Sequence, residues 1–462
     1  MARKRGQPPA SAASVASPRN GRKAALPLRT KLLYATSSLG SEALTRSRSL
    51  WLVYFYAPPA DSGLPKLLPT LVVGIVLTVG RILGALDEVV IGYFSDRTRS
   101  RWGRRIPYIV LGAPFWALFA FLLFTPPAHA SNVATAVYLF FVLELFFLFG
   151  TVSGGPYEAL LPEIAPTTRE RVGLQAIKVY LGVAGSAVGL IGSDLLKDHI
   201  GFRGMALAIA GLALVCRYVG IAGAWERAKR SRHVAALPFR EALRATFANV
   251  PFLVLLPTVV LFGISFELLQ GVIPFYVHAL LPKGSWLTVR VLTAVAIAAA
   301  VAFVPVFAAL ARRTSKREAY RMSMLAAATA FPLLALGGLL PAIPKEAQIL
   351  CATAIVGAPI GAHFLFPVPL TADVIDHDSV STRLRREATF FGSMSFVERT
   401  ATSVAPLVLT LLLLLGNSRG NSLGIRLVGP AAGVIVLAGY LVFRRYDLPD
   451  QVEARIAPGE QA

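Results

Sequence analysis

The segment Gly80–Arg105, GRILGALDEVVIGYFSDRTRSRWGRR, decides the fold of this protein. Its first part has the apolar composition of a helix that crosses a lipid bilayer, yet it carries Arg81, Asp87 and Glu88. An ionisable residue in such a helix costs about 2.5–3.5 kcal/mol on insertion scales, so it normally faces a partner or a water-filled cavity. Its second part is a short basic loop with Arg97, Arg99, Arg101, Arg104 and Arg105. The segment therefore predicts a polar site in a membrane helix, followed by a hinge at the cytoplasmic face.

Composition places the whole chain in the same class. Mean hydropathy is +0.61, with 55% hydrophobic and only 15% charged residues, whereas roughly a quarter of residues are charged in soluble proteins. The net charge of +21 comes from short basic segments between apolar runs. The accumulation of Lys and Arg in cytoplasmic loops explains this pattern. We therefore expect a polytopic protein of the lipid bilayer and no nucleic-acid partner.

Several classes of chemistry lack a signal in the sequence. Cys216 and Cys351 lie inside apolar runs, so they are expected to behave as small hydrophobic residues and not to form a disulfide. No spacing is typical of metal ligands, and no nucleophile and base share a motif. We expect neither an enzyme nor a cofactor.

About twelve segments are long enough to cross a hydrocarbon core of roughly 30 Å, which takes about 20 helical residues. The predicted spans are 32–57, 69–94, 107–124, 133–161, 172–197, 202–225, 251–280, 286–310, 318–340, 347–370, 388–415 and 425–443. Residues 1–31 lack the apolar core of a signal peptide and are expected to form a disordered basic tail. The prediction is an all-α membrane protein with six-helix bundles at 32–225 and 251–443, a cytoplasmic linker at 226–250 and a tail at 444–462.

Charge on alternate loops gives the orientation. Arginine and lysine concentrate in the tails, in the linker and in every second loop, which places both termini in the cytoplasm. The segment ARRTSKREAYR, 311–321, repeats the basic hinge weakly after the eighth span. Two such halves are typical of secondary transporters, whose sites lie near the midplane between the repeats. We expect a multi-pass protein of the inner (plasma) membrane, and a monomer.

Four motifs carry a resemblance to a known family: GYFSDRTRSRWGRR at 92–105, PYEALLPE at 156–163, TADVIDHD at 371–378 and RREATFFG at 385–392. Together they resemble the major facilitator superfamily and, within it, the glycoside-pentoside-hexuronide cation symporter family. The resemblance implies the major facilitator fold and an alternating-access carrier. In such a carrier a cation and a small solute share one central cavity.

The resemblance also implies site residues. Glu42 matches the helix-one carboxylate that holds the solute, and Arg399 matches a helix-eleven lysine. Glu88 matches the second cation-site carboxylate, with Asp87 at a neighbouring amide position, and Lys178 lies one position from a helix-five arginine.

Two positions depart from the family pattern. The first cation-site carboxylate falls on Gly84, and the sugar-binding aspartate of helix four falls in the pair Gly154–Gly155. These departures argue against a simple sugar as the solute. They also favour a proton over sodium as the coupling ion, because a sodium site needs several oxygen ligands and adjacent helical residues such as Asp87 and Glu88 point about 100° apart.

The first span carries a polar face of its own. Ser38, Glu42, Arg46 and Ser49 recur at helical spacing, and Glu42 precedes Arg46 by four residues, the favourable order for an ion pair. One interpretation is a structural ion pair without a role in the solute site. The other is a cationic pocket for a carboxylate or phosphate, which the planar fork of an arginine suits.

The seventh span carries a second polar stripe, Glu267, Gln270, Gly271, Pro274 and His278. Proline and glycine there favour a gating bend, but the stripe is equally compatible with helix packing. His278 is one of two intramembrane histidines, with His363, that the sequence leaves open between a structural and a functional role.

Charged residues near the ends of the second and tenth spans indicate gates on the cytoplasmic side. The resemblance implies that Asp96, Arg104 and Arg105 act in the first half and Asp373, Asp376 and Arg385 in the second.

The interpretation is a symporter that couples a proton or sodium to a small solute such as a glycoside or organic anion. Its expected substrate-binding residues are Glu42, Arg46, Lys178 and Arg399. Two alternatives remain: a carrier of lysolipid or another amphiphilic anion, and a non-transporting membrane scaffold or sensor.

Overall fold

The computed structural model describes residues 26–98, 100–165, 168–229, 247–382 and 387–448, and all regular structure in these ranges is helical. Up to residue 229 the α-helices are α1 Leu28–Tyr56, α2 Thr70–Arg97, α3 Ile106–Leu122, α4 Asn132–Ala159, α5 Leu161–Ile164, α6 Thr168–Ala187 and α7 Ser193–Lys229. From residue 247 they are α8 Val250–Leu280, α9 Val289–Arg313, α10 Lys316–Ala330, α11 Lys345–Leu365, α12 Pro367–Thr382, α13 Glu387–Ala401, α14 Ala405–Leu413 and α15 Leu423–Phe443. We call residues 26–229 the N-terminal half and residues 247–448 the C-terminal half.

Eight helices in the described ranges are long and apolar enough to cross a membrane, and two shorter apolar helices lie at 70–84 and 106–122. One of the eight, 173–226, contains Gly201 with φ 69°, which is a break between two helices. The predicted spans 172–197 and 202–225 fall on either side of that glycine. The total of twelve spans stays a prediction.

Helix starts follow from capping chemistry. The hydroxyl of Ser131 accepts a hydrogen bond from the backbone N–H of Ala134, and the side chain of Asn249 accepts one from Phe252. Side-chain oxygens at this position satisfy an N–H that the first helical turn leaves without a partner. Ser315 caps α10 in the same way through the N–H of Glu318.

The end of the tenth span differs from the prediction. The predicted span ends at residue 370, with Asp373 and Asp376 beyond it, but α11 ends at Leu365 and the chain continues as α12 to Thr382. Both aspartates therefore lie on a helix and not in a loop. Pro367 lies at this junction and fits the first turn of α12, where a residue without a backbone N–H leaves no helical hydrogen bond unmade.

Glycines allow α1 and the fifth span to pack backbone against backbone. A Cβ on Gly185 would collide with the carbonyl oxygen of Leu39, and one on Gly189 would collide with that of Ala43. Gly189 lies in a short π-helical stretch, Val188–Gly192, between α6 and α7. Small residues let membrane helices approach this closely. The contact fixes the rotation of α1 about its own axis and therefore the direction in which its charged residues point.

The Gly185 contact predicts a specific sensitivity. Gly185→Ala should lower the midpoint of thermal unfolding of the purified protein, because overpacking against a backbone costs typically about 1–3 kcal/mol. Gly211→Ala is the matched control, since its Cβ would meet nothing within 4 Å. Equal midpoints for the two variants would contradict the close packing.

The two halves are joined at the end of the bundle away from the chain termini, which we call the distal end. Thr78 donates a hydrogen bond to the carbonyl of Ser403 at 3.0 Å, and the rings of Tyr54 and Phe275 pack edge to face at 5.1 Å. Still nearer that end, a Cβ on Gly74 would collide with the hydroxyl of Thr410. These contacts bring α2 against α14 and α1 against α8.

An ionic cluster at the distal end joins α7 to α9. The guanidinium of Arg290 lies 2.8 Å from Asp198 Oδ2 and 3.7 Å from Asp194 Oδ2, and the backbone N–H of Arg290 donates to Asp194 at 3.1 Å. Lys197 pairs with both aspartates and lies 4.6 Å from the Trp51 ring. Burial alone would raise the pKa of Asp198, but hydrogen bonds and charge from Lys197 and Arg290 outweigh it and hold that pKa below its ordinary value. The pairing is therefore present at neutral pH and is lost only in acid, as the pH falls through that lowered pKa.

Asp61 makes a second polar contact between the two halves at the distal end. One carboxylate oxygen lies 3.1 Å from His278 Nε2, and the other accepts the backbone N–H of Arg419 at 3.0 Å. Burial opposes ionisation of Asp61, yet the hydrogen bonds from Arg419 and His278 together outweigh it and hold the pKa of Asp61 below its ordinary value. His278, which the sequence left open, thus lies at a contact between the halves.

The ionic contacts of Arg290 with Asp194 and Asp198 are expected to hold the distal end closed. Arg290→Gln removes both guanidinium bonds, and partly exposed ion pairs contribute up to about 1 kcal/mol, so the closed-to-open ratio should fall by about fivefold. The measurement is labelling of a cysteine introduced at Ser49 by an impermeant maleimide from the distal side, in a chain without Cys216 and Cys351. Arg203→Gln, at an exposed arginine of the same end, should leave labelling unchanged. Identical labelling of the two variants would refute the role of Arg290 in closing the distal end.

Candidate functional site

Arg46 lies at the centre of the molecule and bonds to both halves. Its Nε lies 3.3 Å from Glu42 Oε2, one turn away on α1, and its Nη1 lies 3.1 Å from Glu267 Oε1 on α8. The ion pair that the sequence spacing favoured therefore forms. It is one arm of a three-residue arrangement that crosses between the halves.

Gln270 completes this arrangement. Its Nε2 donates to the backbone carbonyl of Arg46 at 3.1 Å, and its Oε1 accepts from Arg46 Nη1 at 3.4 Å. The guanidinium also lies 5.1 Å from the centroid of the Phe266 ring, within the range of a cation–π contact. We call Glu42, Arg46, Glu267 and Gln270 the Arg46 cluster.

Within the cluster the two carboxylates differ in exposure. The Glu42 side chain is 38% exposed, whereas that of Glu267 is 14% exposed. Ser186 on α6 donates to Glu42 at 3.5 Å, and Gly182 packs beneath the side chain. Glu42 is thus the carboxylate that a molecule entering the centre meets, and Glu267 is the one enclosed between helices.

A small cavity of about 20 Å³ adjoins the cluster, and Arg48, Arg81 and Glu267 all line it. That volume holds about one water molecule. Arg48 is 8% exposed, its Nε has no hydrogen-bond partner, and its guanidinium lies 5.6 Å from the Phe147 ring. The polar centre therefore extends from α1 and α8 to Arg81 on α2.

A larger cavity of about 240 Å³ opens on the other side of Arg46. Its lining is almost entirely apolar and comes from α6, α8, α9 and α11, with Ser186, Gln270 and Arg46 among its few polar residues. Val183, Val301 and Phe364 line it and are also exposed. The cavity thus has a charged end at the Arg46 cluster and an apolar body.

A second polar group lies in the N-terminal half. Lys178 on α6 pairs with Glu158 on α4, and the Glu158 side chain is 55% exposed. Arg399 on α13 lies close enough to Glu158 to interact with it electrostatically, and it does so with Glu398 as well. Glu158 therefore faces the space between the halves, nearer the end with the chain termini than the Arg46 cluster is.

The predicted site residues fall into different places. Glu42 and Arg46 lie together, Lys178 belongs to the second polar group, and Arg399 approaches that group from the C-terminal half. Asp87, Glu88 and Asp96 are on α2, but their side chains are outside the described part of the structure.

The predicted gating residues are likewise partly described. Asp373 lies 2.6 Å from Lys316, which links the start of α10 to α12. Arg105 donates to the carbonyl of Ala159 and links the start of α3 to the end of α4. Arg104 precedes it and is half-buried, as is Asp376 on α12. Arg385 lies outside the described residues.

Sequence reasoning passed over other charged residues. Glu158 was inside a quoted motif and Arg217 inside an apolar run, which was signal enough to single them out. Glu267 was noted only as part of a stripe, since nothing in the sequence says that it meets Arg46. His363 is buried and stacks on Phe262 at 4.3 Å, which favours a structural role. No group of three or more potential metal ligands occurs in the part of the chain that the structure describes.

Known proteins resemble this chain at three levels. Residues 33–419 match the family described as MFS/sugar transport protein. Among curated proteins, an uncharacterized symporter, sll1374 of a Synechocystis strain, is 31% identical over 167 residues, 35% of this chain and 30% of that protein. The sodium-dependent lysophosphatidylcholine symporter 1-B of Danio rerio is 31% identical over 116 residues, 25% of this chain and 22% of that protein. The chain thus spans less than a third of the length of these two relatives in the matched stretches.

The solved structure of the nucleoside transporter NupG superposes with a TM-score of 0.62 at 13% identity, covering 90% of this chain and all of that one. At that identity the similarity concerns the fold alone. The family consists of transport proteins and not of enzymes. Because its family model covers most of the sequence, this chain belongs to the MFS/sugar transport protein family and is a multi-span membrane protein with the major facilitator fold.

Proposed function

We propose that this protein is a symporter of the plasma membrane that couples the movement of a proton or sodium ion to that of a small solute. The observation that carries the proposal is the position of Arg46, shared between Glu42 of one half and Glu267 of the other. A charge network between two halves is where an alternating-access carrier binds its cargo. The family and the relatives named as symporters support the same assignment.

In this mechanism the accessible Glu42 receives the solute. A polar group of the solute competes with Arg46 for the Glu42 carboxylate, which shifts Arg46 toward Glu267 and strengthens the link between the halves. A charged side chain inside a membrane protein is costly without a partner, so pairing is strongly favoured. Binding therefore alters the balance between two arrangements of the same bundle. Lys178 and Arg399 are proposed to contact the solute from the opposite wall.

The coupling ion is proposed to load at Glu88 on α2. Glu88 is two turns along the helix from Arg81, which lines the same cavity as Glu267. Asp87 and Glu88 are adjacent, so a regular helix directs them about 100° apart and they do not share one ion readily. A single carboxylate at this depth suits a proton better than sodium. Asp96, Arg104, Arg105, Asp373, Asp376 and Arg385 are proposed to hold the terminal, cytoplasmic side shut in the opposite state.

A second candidate solute is an amphiphilic anion such as a lysolipid. The apolar cavity of about 240 Å³ ends at Arg46 and has exposed apolar residues at its rim. Such a shape accommodates an acyl chain with its head group at the guanidinium. Thermal-shift screening of the purified protein against glycosides, uronates and lysolipids separates the two solute classes. A ligand that binds but is never taken up into proteoliposomes would instead indicate a scaffold or sensor.

The driving ion is identified by uptake of the stabilising ligand into proteoliposomes. We expect uptake under an imposed pH gradient without sodium, and little under a sodium gradient at equal pH. Uptake driven by sodium alone would overturn the proton assignment but would leave the symporter proposal intact. Failure of both gradients would remove cation coupling.

Glu42→Gln should weaken solute binding by about ten- to a hundredfold, because hydrogen bonds to a charged group contribute about 1.5–3 kcal/mol. The measurement is a binding isotherm of the ligand found in the screen, on protein shown to be folded and inserted. Glu346→Gln, in the first turn of α11 at the distal end, is the control and should bind as the wild type does. Unchanged affinity in Glu42→Gln would remove Glu42 from the site.

Glu88→Gln should abolish uphill accumulation while sparing exchange of solute at equal concentrations on both sides. A neutral side chain at this position imitates the loaded carrier, which can still rock between its two states. Loss of both activities would mean that Glu88 has a structural role and does not carry the ion.

A further inference from the structure

Arg217 is a buried cation of the N-terminal half that the proposed transport cycle does not use. It lies in the middle of the sixth predicted span and is 5% exposed. Its Nη2 donates to the Ser41 hydroxyl at 3.1 Å, and its guanidinium lies 4.9 Å from the Tyr157 ring and 5.1 Å from the Trp116 ring. Two aromatic rings and one hydroxyl therefore hold the guanidinium in place.

Tyr157 is itself rigid. Its hydroxyl donates to the backbone carbonyl of Tyr34, the Tyr34 hydroxyl donates to the carbonyl of Tyr157 at 2.7 Å, and the two rings stack at 4.6 Å. The ring beneath Arg217 is thus fixed by a reciprocal pair of hydrogen bonds between α1 and α4. This rigidity presets the orientation of the guanidinium.

No carboxylate in the described part of the chain lies within 4.0 Å of Arg217, and its Nε has no hydrogen-bond partner. Glu158 acts on it only electrostatically and is already paired with Lys178. Counting these three residues, the group carries one positive charge in excess. A guanidinium binds a carboxylate or phosphate through two parallel bonds, and Nε–H and Nη2–H form one such edge.

Open space lies next to the Nη2 end of this edge, whereas Nε is enclosed. A Cβ on Gly154 would have the Arg217 Nη2 at 3.9 Å as its only neighbour, and a Cβ on Gly155 would meet nothing within 4 Å. Glu158, one turn further along α4, is 55% exposed and faces the space between the halves. The open position at Gly154 therefore lies one turn of α4 from a side chain that faces the central space.

We infer that Arg217 binds an oxyanion group, a carboxylate or a phosphate, in the gap that Gly154 and Gly155 leave on α4. This site deepens the proposed function, on which it rests for the origin of the anion: the group belongs to the carried solute. The neutral part of the solute then extends toward Glu42, which is on the same helix as Ser41. The excess positive charge at Arg217 then selects for an anionic solute independently of the Arg46 cluster.

Two substitutions on α4 test the gap itself. Gly154→Asp places a carboxylate at the edge of the guanidinium, where it occupies the site internally. Gly155→Leu fills the gap without changing the charge. Both should remove anion binding, and both keep Arg217 itself in place, so they remain informative if Arg217→Gln fails to fold.

The measurement is the midpoint of thermal unfolding of the purified full-length protein as chloride is replaced by inorganic phosphate, or by acetate, at constant ionic strength. Wild type should show a saturable rise with at least one anion, and the two probes distinguish a phosphoryl from a carboxylate group. The half-saturating concentration should rise at least about tenfold in Arg217→Gln, Gly154→Asp and Gly155→Leu. Arg312→Gln, at an exposed arginine at the end of α9, should match wild type.

Absence of a saturable rise in wild type, or an equal rise in Arg217→Gln, would overturn the site. Because this measurement needs no transport, its failure is separate from that of the proposed function. A protein that binds anions at Arg217 but carries nothing would remove only the carrier, and a carrier indifferent to Arg217 would remove only the anion site.

Discussion

The bond network of Arg46 is the constraint on which the rest of the centre depends. Carboxylate partners stabilise a guanidinium at this depth, and Arg46 takes one from each half: Glu42 at 3.3 Å and Glu267 at 3.1 Å. Gln270 then fixes its backbone as well as its head group. Since the same cation satisfies both carboxylates, any event that neutralises or displaces one of them changes the link between the halves. Local chemistry at one side chain is thereby tied to the arrangement of the whole bundle.

The scaffold around this network is built so that charge stays in a few places. Glycines on the fifth span bring α1 close enough to fix its azimuth, which directs Glu42 and Arg46 to the centre while apolar faces meet the other helices. At the distal end, Arg290, Asp194 and Asp198 close the halves against each other. The described bundle is therefore joined at one end and polar in its middle, with Glu158 exposed toward the space between the halves.

The polar residues divide into two groups of different character. The Arg46 cluster shares one cation between two carboxylates, whereas Glu158, Lys178 and Arg217 carry one positive charge in excess. A network with a shared cation suits a switch, because its partners can exchange. A network with excess positive charge suits the recognition of an anion, because the missing partner can come from outside. The apolar cavity beyond Arg46 adds a third surface, which can discriminate between solutes by size and shape.

The sequence by itself determined the class of protein, the approximate helices and the family, because hydropathy, loop charge and ordered motifs are local properties of the chain. It also indicated the Glu42–Arg46 pair, since four-residue spacing on a helix brings two side chains together. Only the tertiary structure decided that Glu267 is the second partner of Arg46, 221 residues away, and that Gly154 leaves room beside Arg217. Those relations depend on the rotation of each helix about its own axis. That rotation is set by packing between helices, such as Gly185 against Leu39, and no single helix carries the information.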